Sequence, residues 1–324
     1  CGTVPDGSDL TETILSDSEQ PDPGSGQGYS ATAPFPGVQR EDAGDDLRLG
    51  SLFANRYLIE TMIGRGGMGV VYRAQDQTLG QTVALKFLPP RFARDPRRVK
   101  RFLGEVRNAR EVAHPNVCRV YDVEEAEGRL FLSMEYIDGE DLSTLLRRIG
   151  RLPTEKAVDI AAQLCAGLQS LHENGMLHRD LKPANVMLDG RGRVRLTDFG
   201  LAGIAEDISG ADIKSGTPQY MSPEQLEGRE VTPRSDIYAL GLVLYEVFTG
   251  KPAFEADSFE DYRRAHLEDS PTSVSEMVAE VDPAIDQLLA RCLAKDPGRR
   301  PPDVATVALA LPGGDPLAAA VALG

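Results

Sequence analysis

Apolar and polar positions alternate along Tyr57–Ile63, and that period of two predicts a strand. A glycine-rich interval follows. β-Branched and aromatic residues then resume over Val70–Ala74 and Thr82–Leu88, which predicts two further strands. Between Arg98 and Val112 the period lengthens, with Phe102, Val106 and Ala109 at helical spacing. His114-Pro115 ends that helix, because the residue before proline is disfavoured in the α region. Val117–Val123 and Arg129–Met134 return to a strand pattern and complete a five-stranded sheet. From Asp141 onward the pattern is mostly helical. Pro153–Asn174 carries an apolar stripe (Ala157, Ile160, Ala161, Leu164, Leu168, Leu171) that stops at Gly175. A short hairpin, Val186–Leu188 with Val194–Leu196, turns at Gly190–Gly192. Ile237–Phe248 is the longest apolar run, too short for a bilayer and read as a buried helix opened by Thr232-Pro233 and stopped by Gly250. Later helices begin at the Ser258–Asp261 capping box and at Asp282-Pro283, and the last spans Pro302–Leu311. No internal repeat is evident. Strands followed by helices predict an α+β chain.

Composition changes this picture mainly at the ends. Residues 1–50 hold ten acidic residues against Arg40 and Arg48 and few large apolar ones, too little to offset chain entropy. An acidic, disordered arm is expected over residues 1–51. The net charge of −15 argues against nucleic acid as a partner, since phosphate contacts need clustered Lys and Arg. Four cysteines (Cys1, Cys118, Cys165, Cys292) lack paired spacing, so neither a disulfide framework nor a zinc site is expected. With no signal sequence and no apolar run of about 18 residues, the chain is expected to be soluble as it stands. It begins at Cys1 and ends in an Ala-rich stretch after Gly313, so it reads as a piece of something longer.

Candidate chemistry sits between these elements. Gly64-Arg65-Gly66-Gly67-Met68-Gly69-Val70-Val71 is a GxGxxGxV string followed by a strand, whereas dinucleotide-binding folds place a helix there. Glycines let backbone lie close over phosphates. Lys86, on an otherwise apolar strand, is costly to bury unless an anion meets it. Leu177–Asn185 reads LHRDLKPAN and is followed thirteen residues after Asn185 by Asp198-Phe199-Gly200. An Asp, a Lys two residues on and an Asn five residues on provide a proton acceptor, a cation and a metal ligand, as phosphoryl transfer requires.

Together HRDLKPAN, DFG, GxGxxGxV and Val83-Ala84-Leu85-Lys86 resemble the protein kinases, in particular the bacterial members of the eukaryotic-type Ser/Thr family, over residues 54–311. The resemblance implies a bilobal fold: a small antiparallel sheet with one main helix (N-lobe, 52–134), a hinge (135–139) and a larger helical C-lobe (140–312), with 313–324 as a tail or linker. It implies ATP and Mg²⁺ as cofactors. The nucleotide site would comprise Ile63, Gly64, Gly66, Gly69, Val71, Ala84, Lys86, Glu105, Met134, Glu135, Ile137, Asn185 and Asp198. In it Lys86 would hold the α- and β-phosphates, braced by Glu105. Glu135 carbonyl and Ile137 amide would bond the adenine edge, with Met134 at the gate. Asp180 would accept the hydroxyl proton or orient the substrate, Lys182 would neutralise the γ-phosphate, and Asn185 and Asp198 would hold the metal.

The segment from Gly200 to Glu224 would bind and regulate. It ends GTPQYMSPE, with Ser222-Pro223-Glu224 where the family usually has APE. Glu224 is expected to pair with Arg300, and Asp236 to brace the catalytic-loop backbone. Thr217, expected to bond both Asp180 and Lys182, would favour Ser and Thr acceptors. The segment is poor in phosphoacceptors, so Asp212 is expected to serve partly as the anion for Arg179, with Ser209 and Ser215 as secondary sites. Protein substrates are the expected partners, with a homodimer left open. A cytoplasmic setting is expected, including that of the cytoplasmic part of a membrane-anchored kinase whose span would follow this chain. Two alternatives are a pseudokinase scaffold and a small-molecule phosphotransferase. Intact Lys86, Asp180, Asn185 and Asp198 oppose the first, and the GTPxYxxPE segment opposes the second.

Overall fold

The computed structural model describes residues 47–67, 69–90, 96–200, 218–279 and 281–313. Asp212, Ser209, Ser215 and Thr217, and residues 1–46 of the acidic arm, lie outside these.

The strand-patterned half forms one antiparallel sheet: β1 (Leu52–Phe53), β2 (Tyr57–Gly66), β3 (Gly69–Asp76), β4 (Gln81–Phe87), β5 (Val120–Ala126) and β6 (Arg129–Glu135), in the order β1-β2-β3-β4-β6-β5. The two-residue β1, pairing Leu52 with Leu58, adds a sixth strand to the five expected. One sheet face buries Phe53, Tyr57, Tyr72, Phe87 and Phe131 around a stacked Phe87–Phe131 pair with centroids 5.3 Å apart. The alternate residues Leu130 and Leu132 face the other way and pack on Phe102 and Val106 of helix α1 (Pro96–Glu111). That helix has the period read from its sequence.

β5 starts at Val120, three residues later than its apolar pattern suggests. The residues before it are used elsewhere: Val117 bridges Leu196, and Cys118 N–H donates to Leu196 O at 2.8 Å. Asn116 Nδ2 donates to Val194 O (2.9 Å) and Gln163 Oε1 (3.0 Å). The chain leaving α1 is therefore sewn to the helical half before it returns to the sheet.

Past the sheet, β7 (Gly139–Asp141) pairs with β8 (Val186–Asp189), which pairs with β9 (Val194–Leu196). Gly139 is obligatory here, because a Cβ would lie 1.9 Å from Leu188 O. Helices α2 (Leu142–Ile149) and α3 (Thr154–Glu173) lead to the catalytic-loop residues. Beyond them come α4 (Pro223–Leu226), α5 (Pro233–Thr249), α6 (Phe259–Glu268), α7 (Val274–Met277), α8 (Pro283–Cys292) and α9 (Val304–Leu309). Helix α5 is buried nearly all round, as its continuous apolar run requires. Thr232 and Ser235 form its capping box, and Gly250 closes it with φ +73°. Among the described residues no helix is long and apolar enough to cross a membrane.

Candidate active site

The cleft between sheet and helices is floored by one apolar cluster. Ala84, Cys118 and Met134 are buried together, with Ile63, Val71 and Ile137 packed on them. Five of these six residues are those expected around an adenine ring. The sixth, Cys118, was not singled out: a lone cysteine at a strand lead-in carries no motif. Its Sγ lies 3.6 Å from Glu135 O, and burial drives the thiol strongly towards its neutral form. A neutral thiol there is a small hydrophobe.

The glycine string is the hairpin joining β2 and β3, where Gly66 faces Gly69. Gly69 has φ +118°, and a Cβ on it would stand 1.8 Å from Phe87 O, so it fixes how the hairpin lies on β4. Cβ atoms on Gly66 and Gly67 would meet nothing within 4 Å. Their open side is the space a phosphate chain would use.

Lys86, 3% exposed, places Nζ 2.7 Å from Asp198 Oδ1. Burial pushes the Asp198 carboxyl upward, but the charge and hydrogen bond of Lys86 outweigh it and hold the group below the ordinary Asp value. Asp198 occupies the left-handed region, φ +60°, an uncommon conformation for a non-glycine residue. Asp180 is held by its neighbours: Lys182 Nζ lies 2.8 Å from Oδ2 and 3.1 Å from Oδ1, and Asn185 Nδ2 donates to Oδ2 (3.0 Å) and to the Asp180 carbonyl (2.8 Å). With its NH₂ turned to Asp180, Asn185 has its oxygen left to meet a cation. Two oxygen donors, Asn185 and Asp198, suit Mg²⁺, which keeps waters and phosphate oxygens in its remaining positions. The residues present thus fit both the nucleotide and its metal.

The expected Lys86–Glu105 pair is not the one formed. Glu105 Oε1 faces Arg179 Nη1 at 3.6 Å, an ion pair beyond hydrogen-bonding range, while Lys86 pairs with Asp198. Glu105 projects from α1 into a pocket it shares with Asp198. A pocket lined by Glu105, Val106, Leu132, Met134, Asp198 and Phe199 opens between α1 and the DFG residues.

The backbone under Asp180 is anchored from α5. Asp236 Oδ2 accepts from His178 N and Oδ1 from Arg179 N, both at 2.8 Å, and Oδ2 also meets His172 Nε2 at 2.8 Å. Burial pushes the Asp236 carboxyl up, yet the His172 hydrogen bond and neighbouring charges bring it below its ordinary value. His178 is wholly buried, edge-on to Phe199 with centroids 6.5 Å apart, and burial lowers its pKa. It packs rather than transfers protons. Glu224 and Arg300 are paired as expected, with Ser235 Oγ donating to Glu224 Oε1 at 2.6 Å.

The protein kinase domain model matches residues 57–310. Serine/threonine-protein kinase pkn3 of Myxococcus xanthus is 39% identical over 269 residues, covering 79% of this chain and 49% of that protein. Serine/threonine-protein kinase PknB of Mycobacterium leprae is 39% identical over 254 residues, covering 76% of this chain and 41% of that protein. The chain thus spans about half the length or less of these curated relatives. Among solved structures, the PknI kinase domain of Mycobacterium tuberculosis is 30% identical with a TM-score of 0.66, covering 82% of this chain and 98% of that one. With its motifs brought into a single cleft and its sequence matched across both halves of the fold, this chain belongs to the protein kinase family, among the bacterial serine/threonine members.

Proposed function

We propose that this chain transfers the γ-phosphate of ATP to Ser or Thr hydroxyls of proteins. The observation that carries the proposal is the convergence of Lys86, Asp198, Asn185, Asp180 and Lys182 at one cleft with an apolar floor. Bound Mg²⁺–ATP supplies the phosphoryl group and the metal charge that offsets its oxygens.

The chain's residues then position and neutralise. Lys86, whose only anion among the described residues is Asp198, would exchange it for phosphate oxygens, and Asp198 and Asn185 would hold the metal. Asp180 orients the acceptor hydroxyl and receives its proton as the oxygen bonds to the γ-phosphorus and the bond to the leaving ADP oxygen breaks. Lys182, beside Asp180, neutralises charge on the group in transit. Glu105 is the residue that would brace Lys86 if it turned from Arg179. Substrates are protein segments laid along the Pro218–Glu224 shelf, and the setting is the cytoplasm, whether free or tethered to a membrane by a part of a longer protein.

Incubation with γ-labelled ATP, Mg²⁺ and a generic protein acceptor tests this, followed by phosphoamino-acid analysis. Label on Ser and Thr is expected. Label confined to a small molecule, label mainly on Tyr, or nucleotide binding without any transfer would each overturn the proposal.

A further inference from the structure

Three consecutive peptide groups lead into Asp180, and side chains from the helical half hold all three. Asp236 accepts the His178 and Arg179 N–H groups, which belong to the peptides 177–178 and 178–179. The third peptide, 179–180, carries the Arg179 carbonyl, and Gln225 Nε2 donates to it at 2.9 Å. Arg179 itself is left-handed, φ +64°. A residue in that conformation persists only where its surroundings over-determine it. Here both of its backbone polar groups end on side chains, one from α5 and one from α4.

The orientation of Gln225 is not ambiguous. Its Oε1 accepts from Ser222 N–H at 2.9 Å and from Ser222 Oγ at 3.1 Å, so that end must be the oxygen and the end facing the Arg179 carbonyl must be the NH₂. Ser222 and Gln225 are the capping box of α4, and Ser222 lies within the shelf that runs from Pro218 to Glu224. Next to Gln225, Glu224 is locked to Arg300, so α4 cannot slide. One amide therefore caps the shelf's helix with its oxygen and holds the peptide before Asp180 with its nitrogen.

We propose that Gln225 is a positioning residue for phosphotransfer. It couples the peptide-binding shelf to the catalytic aspartate by fixing the 179–180 peptide plane. The inference rests on the proposed kinase reaction, and its failure is separable from that reading, because wild-type transfer is measured in the same assay.

The test compares Gln225→Met, Gln225→Glu and wild type in steady-state kinetics and thermal melting. Gln225→Met keeps length and loses both the donor to Arg179 and the acceptor for Ser222. Its kcat is expected to fall about tenfold, the worth of roughly one hydrogen bond, with KM for ATP unchanged. Gln225→Glu keeps the acceptor towards Ser222, but its carboxylate opposes the Arg179 carbonyl unless protonated. The ratio of its kcat to that of wild type should therefore rise as pH is lowered and the new carboxyl gains a proton to donate. A purely structural role would lower melting temperature without that pH-dependent rescue. Wild-type kcat in folded Gln225→Met, or a Gln225→Glu ratio independent of pH, would overturn the proposal. If Gln225→Met does not fold, the Gln225→Glu pH profile decides alone.

Discussion

The carboxylate of Glu224 meets the guanidinium of Arg300 edge to edge, Oε1–Nη1 at 2.7 Å and Oε2–Nη2 at 2.9 Å, and both side chains are almost wholly shielded from water. Burial pushes the Glu224 carboxyl up, but the bonds from Arg300 and Ser235 hold it below its ordinary value. Removing one partner strands a buried charge, which costs about 3–5 kcal/mol. Arg300→Met should therefore show that loss in denaturant unfolding, and Glu224→Leu/Arg300→Met together should lose clearly less than Arg300→Met alone. Equal loss in the single and double variants would mean that the ion pair is not the anchor of α4.

Lys86→Met keeps a comparable volume and removes the ammonium. The fold should survive, because the Asp198 side chain is partly exposed and can hydrate. Phosphotransfer should fall by about 10²-fold or more. Initial rates alongside a melting curve check both parts, and a folded variant with wild-type rate would place the phosphate clamp elsewhere.

Two neighbouring glycines should separate cleanly. Gly69→Ala drives a Cβ into Phe87 O from a φ of +118°, so it should cost more than about 1 kcal/mol of stability. Gly66→Ala points into open space and should leave stability within about 0.5 kcal/mol, its effect appearing in KM for ATP. Nucleotide-free unfolding of the two variants is the comparison to make.

His266 is wholly buried against Phe254 and Tyr262, with Nδ1 3.0 Å from Tyr238 Oη. Burial, helped by the Lys295 charge, lowers its pKa to about 4 from 6.5, against smaller opposing contributions from the Pro218 and Gln219 backbone. Between those values the unfolded chain binds the proton and the folded one does not, so stability falls as pH drops from 6.5 to 4. The loss attributable to this ring reaches about 3 kcal/mol. A His266→Phe variant should lack that share of the acid slope in unfolding measured from pH 7 to pH 4, and an unchanged slope would assign it to other groups.

Residues that answer to local chemistry were readable from the chain alone. Alternation at Tyr57–Ile63 and the apolar run at Ile237–Phe248 became β2 and α5, and the loop residues Asp180, Lys182 and Asn185 meet because only a few residues separate them. What could not be read were choices between partners of the same charge. Glu105 faces Arg179 while Lys86 takes Asp198, a choice that sequence spacing does not record. Cys118 carries no motif, and only the tertiary fold packs it with Ala84 and Met134. Gln225 escaped notice because a capping residue has its first explanation nearby, in Ser222, and its second in a carbonyl 46 positions upstream.

The stitching of Asn116–Cys118 to β9 and α3 has a mechanical consequence. Gly167 on α3 admits the Asn116 carbonyl so closely that a Cβ would lie 2.7 Å from it, and Leu196 N–H and Cys118 N–H bond across the same seam. These residues precede the hinge by sequence yet ride with the helical half. The sheet is therefore tied to the helical half at two places, the strand exit at Glu135 and the seam at residues 116–118. Cys118 sits on the second of these. The apolar floor of the cleft is in this sense shared between the two halves: Cys118 belongs to the seam on the helical half, while Ala84 and Met134 packed on it belong to the sheet.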